Sequence, residues 1–140
     1  MSRQSWGPAV LRVIVGSVFV AHGLPKLIPI WGGSPSATAV YFEALAGLAL
    51  VAGFYTLWAA VALASDVALT IWKAHLPHGF FLNWTLASGV GHGYEFHLVL
   101  LGALACLMLA GPGALSIDGR RARFAESEAA GRARLLKSRA

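Results

Sequence analysis

Apolar and polar positions divide the chain into four long apolar runs followed by a charged segment. The runs cover residues 8–30, 37–53, 56–76 and 94–110. Each is about 17–23 residues long, which at ~1.5 Å per residue matches the ~30 Å of a bilayer's hydrocarbon, the second and fourth being at the short end. The pattern predicts an all-α, integral membrane four-helix bundle, and four crossings bring both termini to one side. Only Gly53 to Thr56 separates the second run from the third, so those two form a tight antiparallel hairpin rather than one long broken helix. The connection "IPIWGGSPSA" is a Pro/Gly/Ser loop in which Ser36 or Thr38 serves as a helix cap. The last connection, "PHGFFLNWTLASGVGHG", sets Phe80, Phe81 and Trp84 among glycines, the make-up of a segment at headgroup level or folded back on the bundle. The expected organisation is an N-terminal stretch 1–7, a membrane domain 8–118 and a basic tail 119–140. The tail reads as partly helical on an anionic lipid surface, with a disordered tail as the alternative.

Composition supports lipid as the solvent. The 140 residues are 57 % hydrophobic and 12 % charged, and mean hydropathy is +0.66; soluble domains run at about 45–50 % and about 25 %. The formal net charge of +5 suits a nucleic-acid binder on its face, but seven of the eleven Lys and Arg residues follow Gly119. Such a terminal cluster fits a membrane surface, and nucleic acid is not an expected partner. With Arg3 and the tail as the main basic segments, the positive-inside rule places both termini in the cytoplasm. Arg12 interrupts the first run and no small-x-small site closes it, so the run is expected to be a retained helix rather than a signal peptide. Cys106, the lone cysteine, has no internal disulfide partner and is expected to be a packing residue.

The ionisable residues inside the runs can be placed by depth. If the first helix runs outward and the second returns, His22 and Glu43 lie level, about 10 Å below the outer end by the ~1.5 Å rise. Arg12, Gly16, His22, Gly23 and Lys26 share an arc of about 120°, and Gly47 offers a matching surface for close helix approach. Pro25 is expected to kink or end the first helix just before Lys26. Asp66, Thr70 and Lys73 fall on one stripe of the third helix, while Tyr94, Glu95 and His97 open the fourth. Insertion of one unpaired charge costs about 2.5–3.5 kcal/mol, so these groups are expected to face inward. The competing reading is interhelical glue, with Lys26, Lys73 and Glu95 snorkelling to the interface.

The stretches "LRVIVGSVFVAHGLPKL", "FEALAGLALVAGFYT", "HLPHGFF", "GYEFHLVLLGAL" and "GPGALSID", taken in order, resemble the DoxX/DoxD-like family of small four-helix bacterial membrane proteins. The resemblance runs from Leu11 to Asp118 and leaves out the basic tail; "HGLPKL" departs from the usual pattern by its proline before Lys26. It implies a multi-pass protein of the bacterial inner membrane, with the lipid bilayer and other subunits of a complex as partners and oligomer formation left open. It also implies membrane-bound redox chemistry: some members resemble a thiosulfate:quinone oxidoreductase subunit, and others are linked to complexes with a superoxide dismutase and a sulfurtransferase. By resemblance, Arg12, His22, Lys26, Glu43, Tyr94 and Glu95 are the functional positions.

Two function classes follow. In the first the chain is a quinone-interacting subunit: His22 donates to a quinone carbonyl, Glu43 orients the imidazole and passes protons, Glu95 joins them, and Trp72 or Tyr41 stacks on the ring. Arg12, Lys26, Asp66, Lys73, Tyr94 and His97 complete the candidate binding set. In the second class the chain is a noncatalytic anchor that docks a partner complex. A haem between His22 and His97 ranks lower. The histidines at 75, 78, 92 and 97 have no recognised ligand spacing, so no metal is expected. Hydrolase and nucleotide-binding motifs are absent from the sequence.

Overall fold

The structure is a computed structural model that describes residues 3–27 and 38–138, with side chains omitted at 3, 4, 25–27 and 38–40. The expected cap at Ser36 or Thr38 and the direction of Lys26 therefore lie outside the described residues. The described elements are all helical: α1 (Arg3–Leu27), α2 (Thr38–Ala52), α3 (Thr56–Thr70), α4 (Glu95–Ala110) and α5 (Ile117–Lys137). One π-helical turn, Ile71–His75, and one 3₁₀ turn, Leu76–His78, extend α3. The structure corrects the expected break at Pro25, because α1 continues to Leu27. Only its last turn meets the proline, which limits the lost backbone bonding.

α1 packs along α2 and α3 along α4, while α2 and α3 form the expected hairpin and α4 returns to α1. Val15, Phe19, Leu50, Leu63, Val67, Leu104 and Leu107 interlock at the centre. α1 meets α2 backbone to backbone, as the glycine spacing predicts. A Cβ at Gly16 would stand 2.8 Å from the Gly47 carbonyl oxygen, and one at Gly23 would stand 2.7 Å from the Ala44 Cβ. Such proximity replaces side-chain interdigitation with dispersion between main chains.

The outward faces are as apolar as the inward ones. Ile14, Leu45, Leu48, Trp58, Leu69, Val99 and Leu109 are all exposed, whereas a soluble bundle would present charged residues there. Ser5–Leu24 and Thr56–His78 are long and apolar enough to cross a membrane, and Tyr41–Ala52 and Glu95–Ala110 are shorter apolar helices. Cys106 lies on this outward surface, so the expectation of a packing residue is corrected: the helix face, not the residue type, decides its exposure.

Both ends of the bundle are tied by loops. The Ala114 amide donates to the Ser5 carbonyl at 2.7 Å, joining the start of α1 to the segment after α4. At the other end, Asn83 holds the 79–94 loop through bonds to the Ala87 and Val90 carbonyls, both 2.9 Å, and accepts from Thr85 and Ala87. The loop then folds back, with the Tyr94 amide on Gly79 and the Glu95 amide on Phe80. The tail is helical from Ile117, capped by the Ser116 hydroxyl accepting from the Gly119 amide.

Candidate functional site

His22, Glu43, Asp66, Thr70 and His97, from four different helices, line one half-open pocket of about 70 Å³. Val18, Phe19, Val67, Phe96 and Leu100 form its apolar walls. His22 and Glu43 thus meet on one pocket, with Asp66 one helix away. The volume is room for roughly two waters at ~30 Å³ each. The lining combines these polar groups with apolar side chains.

Hydrogen bonds set the chemistry of the imidazoles. His22 Nδ1 lies 2.8 Å from the Val18 carbonyl oxygen. A carbonyl only accepts, so Nδ1 carries a proton, and in the neutral ring Nε2 is the acceptor. This revises the donor role expected of His22: it gives a proton from Nε2 only as imidazolium and takes one when neutral. His75 is fixed the same way by the His92 carbonyl at 2.7 Å. Its ring lies against that of His97, centroids 4.1 Å apart. His97 Nδ1 is buried and makes no hydrogen bond among the described residues, an unmet polar group at the pocket wall.

The other candidates disperse. Trp72 and Lys73 are exposed on the π turn, and Tyr41 is exposed on α2; none of the three lines the pocket. The aromatic side chains lining the pocket are Phe19 and Phe96. Glu95 and Tyr94 lie at the start of α4, half-buried, with the Tyr94 ring edge-on to Phe80 at 5.4 Å. Phe96 is not among the expected site residues, and His75, considered only with His78, His92 and His97 as a metal ligand, lies beside His97. At ~100° per residue His75 falls opposite Asp66, but a π turn advances fewer degrees per residue and rotates the chain beyond Thr70. Among the described residues no three His, Cys, Asp or Glu side chains group as metal ligands.

Arg12 lies about ten residues, or roughly 15 Å of helix, from His22, in a second polar cluster. It is 2 % exposed, its Nη2 reaches the Ala114 carbonyl at 3.5 Å, and its Nε and Nη1 make no hydrogen bond. Beside it, Asp118 closes the N-terminus of α3. Its carboxylate accepts from the Tyr55 amide at 3.0 Å and from the Thr56 amide and hydroxyl, both 2.8 Å. Arg121 sits 5.8 Å from the ring centroids of Phe54 and Tyr55, a cation–π contact to the same turn. The distant Asp118 thus does for α3 what a local cap does elsewhere.

Burial alone would raise the Asp118 pKa, but the bonds from Thr56 and Tyr55 and the charge of Arg121 outweigh it and hold the carboxyl below its ordinary value of 3.8. The folded value being the lower one, the stabilisation is fully present above the unfolded pKa and is lost as pH falls through the folded value. Unfolding of the purified protein is therefore expected to turn acid-sensitive below about pH 4, and Asp118→Asn to remove that part of the dependence while lowering stability by about 1–2 kcal/mol at neutral pH. Identical acid profiles for the two proteins would refute the assignment.

A protein-family model described as DoxX matches residues 7–76. That span includes His22, Glu43, Asp66, Thr70 and His75, and stops before α4 and the Asp118 loop. Among the curated proteins and the solved structures, no match is found.

Proposed function

The chain belongs to the DoxX family and is a membrane protein with apolar outward faces, and from this premise we propose that it is a multi-pass, quinone-interacting subunit of a redox complex. In this reading all four apolar helices cross the inner membrane, the bilayer thinning locally around α2 and α4, and both termini face the cytoplasm by the distribution of Lys and Arg. The observation that carries the redox reading is the convergence of two imidazoles and two carboxylates from four helices on one pocket with an apolar wall. Ionisable groups at bilayer depth are costly enough to mark function by default.

A quinone fits this site by its carbonyl edge: His22, His97 and Thr70 hold the oxygen side, and Phe19 and Phe96 bound the ring. When bound it supplies a two-electron, two-proton couple, with the electrons coming from a partner subunit. The protein's part is the protons. His22 Nε2 gives or takes one at the oxygen, its tautomer set by the Val18 carbonyl. Glu43 and Asp66, on the same pocket, exchange protons with the ring and with water at the open side.

Quinone extracted from the purified chain is the direct test. The wild type is expected to retain it, and His22→Gln to lose at least about tenfold in retention, the scale of one good hydrogen bond to a buried partner. If the wild type retains none, or if His22→Gln retains quinone and supports full turnover in the complex, the chain is a noncatalytic anchor whose polar cluster only holds helices together.

A further inference from the structure

A second concavity, about 380 Å³, opens where the start of α1 meets Val51 of α2 and the segment after α4. Its walls are apolar: Trp6, Val10, Ile14, Val51 and Leu115, with Arg12 the one charged residue among the described residues of the lining. Arg12 is 2 % exposed, with Nε and Nη1 unbonded. Asp118 attracts it, but the Asp118 oxygens already serve Tyr55 and Thr56. A guanidinium offers five donors in a planar fork that matches carboxylate or phosphate oxygens, and among the described residues it meets a single long contact to a carbonyl. Leaving such a charge buried and unmatched is strongly unfavourable.

We propose that this groove binds an anionic lipid, its acid headgroup at Arg12 and its acyl chain along Val10, Ile14 and Leu115. Charge complementarity selects the headgroup sign, and the apolar walls select an amphiphile over a free anion. The exposed wall residues, Val10, Ile14 and Leu115, are continuous with the lipid-facing surface of α1, so the chain enters from the bilayer side. The site is separate from the His22 pocket. The proposal rests on the membrane assignment and not on the redox reading, so loss of quinone chemistry leaves it standing.

The test is mass spectrometry of full-length protein purified in neutral detergent, followed by add-back of phosphatidylglycerol, phosphatidylethanolamine or oleate. The wild type is expected to carry a single anionic lipid and to rebind phosphatidylglycerol or oleate at least about tenfold better than phosphatidylethanolamine. The retained mass distinguishes a phospholipid from a fatty acid, and either supports the site. Arg12→Met keeps the length and removes the charge, and is expected to abolish the preference. Ile14→Trp fills the groove from an exposed position and is expected to lower retention with Arg12 intact; it decides the matter if Arg12→Met does not fold. Equal retention of anionic and zwitterionic lipid, or unchanged binding in Ile14→Trp, overturns the proposal. Protein that stays soluble without detergent would instead sink the membrane reading on which it rests.

Discussion

Gly53→Ala is expected to destabilise the protein by about 3–5 kcal/mol, the range of severe steric and backbone defects. Two independent faults add. Gly53 has φ +67°, a left-handed conformation that a Cβ disfavours. The new Cβ would also fall onto Arg12 Nη1 and stand 2.5 Å from Ser116 Cβ. None of these neighbours can retreat easily. The guanidinium rests against the Ala114 carbonyl, and Ser116 is pinned by its bonds to Gly113 and Gly119, both 3.0 Å. The Gly53 carbonyl meanwhile accepts from the Asp118 amide at 2.9 Å, so moving the turn would loosen the cap of α3. A double variant separates the faults in part: adding Arg12→Ala should recover the share due to the guanidinium and leave the Ser116 contact and the backbone part of about 1 kcal/mol. Denaturant unfolding in detergent measures both, and a Gly53→Ala protein as stable as wild type would show that this packing is wrong.

Glu43→Gln is expected to lower quinone-linked turnover of the assembled complex by about 10²–10⁴, the usual contribution of one positioned proton-transfer group. Glutamine keeps the volume and hydrogen-bonding capacity of Glu43 but removes its exchangeable proton, so helix packing should survive. A change in turnover with unchanged quinone retention would identify Glu43 as a proton carrier. A loss of retention alone would identify it as a binding group. Lys73→Gln serves as the control because Lys73 is exposed on the π turn and does not line the pocket, and it should stay within a few-fold of wild type. Full activity in Glu43→Gln would leave the cluster with a structural role only.

Much of the architecture is legible in one dimension because bilayer length and helical rise act on local sequence. The four apolar runs, the turn at Gly53, the Gly16 and Gly47 contact and the shared level of His22 and Glu43 need only ~1.5 Å per residue and the rule that charges avoid lipid. The same arithmetic failed where winding is irregular. It assumed a uniform helix beyond Thr70, so it placed Lys73 on the pocket stripe and gave His75 no place beside the pocket, although the π turn carries it against His97. It also stopped α1 at Pro25, because a proline's penalty is read locally while the gain from one more packed turn is not.

By itself, then, the sequence determined that this is an apolar, all-helical membrane chain with ionisable groups set among its apolar helices, since hydropathy, length and close-approach glycines are properties of neighbouring residues. Which groups meet was decided only in three dimensions. Asp118 caps a helix 62 residues earlier in the chain, His97 comes to rest beside His75, and Arg12 joins the 113–118 loop instead of the His22 pocket. Each of these contacts depends on how the helices rotate against one another and on where the loops return. Such contacts arise from packing between distant segments, for which a hydropathy pattern carries no coordinate.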